Sequence, residues 1–376
     1  MPEKLEYEVE FVTPAFLGNA SQHGQWRTPP FKALLRRWWR ILHAQEVNYD
    51  WHELRRQEGL LWGNAFLSDK DLPDGLRKGR KNGHCRSQVS LRFNHWNEGT
   101  FGNDLWENTK FKKIDTGGEF DIPADLFLGY GAVLSKRVKP KQGKPYRVEY
   151  LQHEPAMNAG DSNRLRLTFR EQSLTPMLKG LMWLIDQFGT LGSRAGNAWG
   201  SLHLAGAEKP DDMTLPVRNW DACLNLDWAH AIGRDNNGPL VWDTKPKDSW
   251  KEAVEELAGW KSAIRSIAKE PDFRGPGVTG ALLLGYPAGP KNGNPHYIEK
   301  LGPNARWASQ IRMKVVRLPN GQVKGRIFHL PHRPPPPIWA KLDHTQRQWI
   351  EENQLLLWAE IHHSLDQNLQ RWGGAA

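Results

Sequence analysis

Residues 26–44, WRTPPFKALLRRWWRILHA, constrain this chain more than any other stretch. At helical spacing Phe31, Leu35, Trp38 and Leu42 share one side, with Leu34 beside them. Lys32, Arg36, Arg40 and His43 share another, and Arg37 lies on the flank nearer to them. Pro29 and Pro30 fall in the first turn, where the missing N–H costs little. One face must dock on a core, and the other carries a ridge of guanidinium groups. Such a ridge suits phosphate, because the arginine fork is planar and permanently charged. Taken alone, the helix is better read as a solvated charged face, as most charge runs on helices are.

The 376 residues suffice for two domains, with a boundary expected between residues 208 and 209. Nineteen tryptophans imply either aromatic cores or indoles spare for stacking on bases or partners. The net charge of +9 favours a polyanionic partner. Cys85 and Cys223 belong to no CxxC pair, so neither a disulfide framework nor a cysteine zinc site is expected. No apolar run reaches the ~20 residues of a membrane span, and the charged, alternating start is unlike a signal peptide. A cytoplasmic protein without a membrane partner is expected.

Residues 5–12 alternate apolar and acidic and predict a strand. The loop TPAFLGNASQHGQ leads into the basic helix, and a second helix is expected from Trp51 to Phe66. Residues 77–86 form a basic, acid-free loop, followed by a strand over 87–93. FLGYGAVL (127–134) predicts a buried strand running into a second basic loop, 135–147. Another strand over 165–171 precedes a helix that Thr175-Pro176 opens and Gly189 stops. GTLGSRAGNAWG then runs into the strand WGSLHL. Its glycines allow positive φ, and with Arg194 it offers N–H groups and a cation to an anion. It lacks a Walker ending and precedes rather than follows a strand, so a nucleotide-triphosphate site is not expected. An elaborate helix-to-strand turn is the plain alternative. The order strand, helix, strand, strand, helix, strand over the first ~205 residues is the ferredoxin-like βαββαβ pattern.

After a polar linker (209–219) come a possible strand in LNLDWAHAIG, a helix over 250–267 and an apolar strand ALLLGY. A hairpin turning at Pro319-Asn320-Gly321 follows, then a proline spacer (334–337) and a final helix over about 343–372. The βα…ββα order repeats. The fold expected is α+β, two ferredoxin-like units in tandem: 1–208, with the basic helix and glycine-rich loop, and 209–376, with a long closing helix.

Four stretches together, TPAFLGNASQHGQWRTPPFKALLRRWWR, SQVSLRF, FLGYGAVL and FGTLGSRAGNAWGSL, resemble the RAMP superfamily of CRISPR-associated proteins. Within it they most resemble the Cmr-one-type subunit of type III-B effector complexes. The chain has Gly-Thr-Leu-Gly and a single Arg194 where that family has Gly-Gly-Leu-Gly and paired arginines. Its helix reads Ala-Leu-Leu-Arg-Arg where the family has Gly-x-Leu-Arg-Phe. In RWAS, Arg306 and Ser309 resemble a short motif opening a strand of the second domain.

The resemblance implies a binding subunit of a ribonucleoprotein that touches the 3′ region of the guide RNA and helps admit target RNA. Guide RNA, target RNA and other RAMP subunits are the partners it implies. His23, Arg27, Lys32, Arg36, Arg37, Arg40 and Arg194 are the expected backbone contacts, lining one groove. Trp199, or an indole on a loop, is the expected stacking group. His23 is also the best candidate general base, as in some relatives that process guide RNA, but hydrogen-bonding a phosphate or capping a turn is the favoured alternative. A protein-binding scaffold whose tryptophans pack against neighbouring subunits is the remaining alternative. No metal or cofactor is expected: His84-Cys85 and His362-His363 are adjacent pairs, and HExxH is absent.

Overall fold

The computed structural model describes residues 2–65, 84–105, 110–115, 118–139, 143, 146–285, 301–302 and 304–373. Most of the first basic loop (77–83) and the middle of the second (140–142, 144–145) lie outside the described residues. The chain is a mixed α+β protein with several small, mainly antiparallel sheets. In chain order the principal elements are β1 (Glu3–Phe11), α1 (Thr28–His43), α2 (Trp51–Trp62), β2 (Ser90–Phe93), α3 (Ala124–Gly129), β3 (Val133–Val138), β4 (Tyr146–Leu151), β5 (Ser162–Phe169), α4 (Thr175–Phe188), β6 (Leu202–Ala205), β7 (Val241–Asp243), α5 (Trp250–Ile267), β8 (Ile311–Arg317), β9 (Val323–His329), α6 (His344–Asn368) and β10 (Gln370–Arg371). They form two compact units. One comprises residues 1–101, 153–193 and 200–216, the other residues 102–152, 194–199 and 217–376.

In the first unit the sheet runs β6-β1-β5-β2. β1 is antiparallel to both its neighbours, with Val9 opposite Leu204 on one side and Asn163 on the other. Its period-two alternation buries Tyr7, Val9 and Phe11 while the glutamates face outward. α1 lies on that apolar face through an aromatic cluster. Trp26 stands 5.0 Å from Phe11 and 5.2 Å from Phe93, and Phe31 stands 4.8 Å from Phe93, centroid to centroid. Trp38 meets Phe188 of α4 at 5.5 Å. Such pairs add roughly 0.5–1.5 kcal/mol each beyond the area they bury. The buried face of α1 is wider than its sequence spacing suggests, because Trp39 and Ile41 are buried as well.

In the second unit β8 and β9 form the expected hairpin, with Val315 opposite Gly325, inside a sheet ordered β8-β9-β7-β10. α5 covers it, and the missing side chain of Gly325 lets Leu257 lie close to the strand, 2.9 Å from where a Cβ would stand. Asp343 and Gln346 close a reciprocal capping box at the start of α6.

Three local expectations are corrected. FLGYGAVL holds the end of helix α3, a turn at Gly131 (φ +104°) and the beginning of β3, which pairs with β4. The second basic segment therefore begins and ends in a hairpin rather than a loop. ALLLGY begins as a helical turn, Gly280–Leu283, because a short apolar run does not by itself distinguish a strand from a buried helix. The closing helix ends at Asn368, where Gln370 and Arg371 leave it to pair with β7.

Candidate nucleic-acid interface

The loop before α1 is pinned by backbone contacts within the first unit. Ala15 bridges Met157, Phe16 bridges Ser193, and the Gly24 N–H donates to the Pro155 carbonyl at 2.6 Å. A Cβ at Gly24 would stand 2.8 Å from the Met157 nitrogen, so only glycine permits this approach. The pinning presents His23, whose Nδ1 lies 3.2 Å from a Glu98 carboxylate oxygen with both side chains partly in solvent. A carboxylate at Nδ1 orients the ring and favours the tautomer with its proton on Nδ1. Trp96, 48% exposed, stands on the same segment as Glu98, and its carbonyl accepts from Gln25 Nε2 at 2.8 Å.

α1 carries its cations as the sequence spacing requires, but they are not equivalent. Arg36 Nε and Arg40 Nη1 both donate to one oxygen of Glu58, at 2.7 and 2.9 Å. The Glu58 side chain is only 3% exposed. Glu58 belongs to α2, on the stripe that Leu54, Leu61 and Trp62 bury. An acid in an apolar stripe is a signal that the sequence contained.

Lys32 and Arg37 complete the ridge, and among the described residues neither has a carboxylate partner. Burial pushes the Lys32 ammonium down from its ordinary range, with Arg36 adding to the effect. Burial likewise pushes Arg37 down to about 10, with Arg40 adding. Cations that lower one another's proton affinity while staying charged near neutral pH are the setting in which a bound anion is favoured. Arg27 caps the helix by its backbone only, and its Nε is buried without an acceptor among the described residues.

Arg194 belongs to the second unit with residues 195–199. That segment is held by the Ala198 N–H donating to the Met313 carbonyl at 3.1 Å and by Asn197 Nδ2 donating to the Leu128 carbonyl at 2.8 Å. Arg194 itself adopts φ +60° and is exposed. Trp199 is fully buried, its ring 6.1 Å from that of Trp250, so it cannot take the stacking role expected of it. Indoles in tight helix-to-strand turns fill cores as readily as they stack, and nothing in the local sequence separates the two.

Among the described residues, no three His, Cys, Asp or Glu side chains gather as a metal set, and no helix is long and apolar enough to cross a membrane.

Structural neighbours include Cmr1 and type III-B Cmr-beta chains. The crystal structure of apo Cmr1 from Pyrococcus furiosus is similar at TM-score 0.40 and 14% identity, covering 87% of each chain. A chain of a type III-B Cmr-beta complex, bound to cognate target RNA and AMPPnP in the presence of single-stranded DNA, is similar at TM-score 0.40 and 11% identity. It covers 94% of this chain and 99% of that one. A chain of another Cmr-beta complex bound to cognate target RNA gives TM-score 0.26 and 11% identity over 54% of this chain and 58% of that one. No family model and no curated protein matches the sequence.

Proposed function

We propose that this chain is an RNA-binding subunit of a type III-B CRISPR ribonucleoprotein, acting at the 3′ region of the guide and helping to capture complementary target RNA. The observation that carries the reading is the ridge of Lys32, Arg36, Arg37 and Arg40, four cations on one helix against the single carboxylate Glu58. It belongs to one of the two stretches in which the sequence resemblance is specific, and the loop bearing His23 and Arg27 leads into it. Contacts of this kind grip the sugar–phosphate strand and leave sequence discrimination to base pairing with the guide. The strand orders β6-β1-β5-β2 and β8-β9-β7-β10 support reading the two units as a tandem of ferredoxin-like folds, each a βαββαβ set.

The test is binding of the full chain to guide-like single-stranded RNA across a salt series, with cross-linking of the assembled complex to map the peptides that touch guide and target. Steeply salt-dependent binding that is indifferent to sequence is expected. An absence of RNA affinity at low salt would favour the scaffold reading.

The His23–Glu98 pair favours one second reading, a metal-independent endoribonuclease with His23 as general base. Cleavage of repeat RNA by the pure protein in EDTA, lost in His23→Ala, would establish it.

A further inference from the structure

Tyr130 closes α3 and is 61% exposed, among the most exposed large apolar side chains of the described residues. Its backbone is fixed in the tight turn between α3 and β3: it bridges Val133, and the Gly131 N–H donates to the Val133 carbonyl. A rigid backbone presenting a bare ring to solvent has no folding purpose that the contacts reveal.

What lies beside the ring suggests one. Gly131 follows at φ +104°, and a Cβ there would stand 2.8 Å from Arg194 Nη2. The glycine thus leaves room for the guanidinium next to Tyr130. Gly196 does the same for Arg312, whose Nη1 would stand 2.5 Å from a Cβ. Although Arg194 is exposed, partial burial of its guanidinium lowers its affinity for a proton, and nearby Arg306 lowers it further. Lys261 comes up from α5 with its ammonium 5.6 Å from the centroid of the Phe127 ring. It stands at the position after Val254 and Leu257 where the apolar stripe of α5 calls for a hydrophobic residue. Burial, Arg265 and Arg194 push it down to about 7. Among the described residues no carboxylate pairs with Arg194, Lys261 or Arg306. Among the described residues, these cations therefore have no anion to answer them.

We infer that Tyr130, with Arg194, Arg306 and Lys261, forms a nucleotide-binding site of the second unit in which the phenol ring stacks on one base of a single-stranded RNA while the cations hold the adjoining phosphate. An exposed aromatic flanked by arginine and lysine is the elementary unit of sequence-tolerant single-strand binding. The inference rests on the RNA-binding reading above and adds to it the stacking group that Trp199 cannot be.

The experiment uses the full chain, single-stranded oligouridine and the variants Tyr130→Ala, Tyr130→Trp and Arg194→Ala. Tyr130→Ala is expected to weaken binding by about five- to 150-fold without changing the salt slope, since stacking releases no counterions. Tyr130→Trp should bind as the parent does, and Arg194→Ala should lower the slope. In the assembled complex, 5-iodouridine placed in the RNA should photo-cross-link to the peptide containing Tyr130. Parent-like affinity in Tyr130→Ala, with the parent chain binding well, would overturn this site and leave the basic helix untouched. Cross-linking of the Tyr130 peptide to another subunit instead of RNA would overturn it in favour of a protein contact. A parent chain that binds no RNA at low salt would instead remove the RNA reading and this inference with it.

Discussion

Arg36 and Glu58 are joined at 2.7 Å between two helices, and the carboxylate is buried where its helix otherwise presents leucine and tryptophan. Arg40 shares the same oxygen. Two cations of the ridge are therefore structural as well as electrostatic. Arg36→Ala combined with Arg40→Ala strands a buried charge and should cost about 3–5 kcal/mol of stability. The thermal midpoint should fall accordingly, and adding Glu58→Met should recover most of the loss. If the double variant melts with the parent, the carboxylate is solvated in solution.

Lys32 and Arg37 are the cleaner probes of RNA binding, since no described carboxylate depends on them. Lys32→Ala with Arg37→Ala should weaken binding to all sequences alike. It should also lower the magnitude of the logarithmic salt slope by about 1.4, the single-strand value for two phosphate contacts. An unchanged slope in a salt titration would separate this helix from the RNA.

The second unit should be sensitive to mild acid. His329 Nδ1 lies 2.9 Å from His362 Nε2, and burial followed by neighbouring positive charge holds both rings neutral. Burial likewise pushes His230 down to about 4. Because these values lie below the ~6.5 of an unfolded histidine, the unfolded chain binds more protons once the pH drops under about 6.5. Stability is thus whole at pH 7 and declines toward pH 4, each histidine contributing up to about 1.4 kcal/mol per pH unit. Asp243 and Asp366, held below the usual carboxylate range despite burial by Arg326 and Arg371, act in the same direction but only near pH 4 and below. Urea midpoints at pH 7, 6 and 5 should fall, and His362→Phe should flatten the decline. A level profile over that range would mean that the rings are hydrated.

Gly200 and Gly321 both have positive φ, at +64° and +85°. A Cβ at Gly200 would collide with the Leu191 carbonyl, whereas nothing lies within 4 Å of one at Gly321. Gly321→Ala should cost only the local backbone penalty, about 1 kcal/mol. Gly200→Ala must also break the Leu191 N–H to Gly200 carbonyl bond or shift the strand, and should cost several-fold more in urea unfolding. Equal costs would show that the glycine-rich turn relaxes freely.

Much of this protein was legible before its coordinates. Alternation in LEYEVEFV, the amphipathic basic helix, the helices beginning at Thr175 and Trp250 and the Pro-Asn-Gly hairpin are local patterns, and local sterics and side-chain period suffice to specify them. The cations of α1 were identifiable for the same reason, since four residues on one helix need only the helix to be brought together. What no local pattern could supply is which charges are already answered. Glu58 sits 18 residues from Arg40, Glu98 sits 75 from His23, and Gly131 sits far along the chain from the Arg194 it accommodates. Burial of Trp199 and exposure of Tyr130 are likewise outcomes of packing, because an aromatic side chain serves a core or a surface equally well until its neighbours are in place. Sequence thus determined the elements and the sign of the charge; only the tertiary structure decided which of those groups remain open to a ligand.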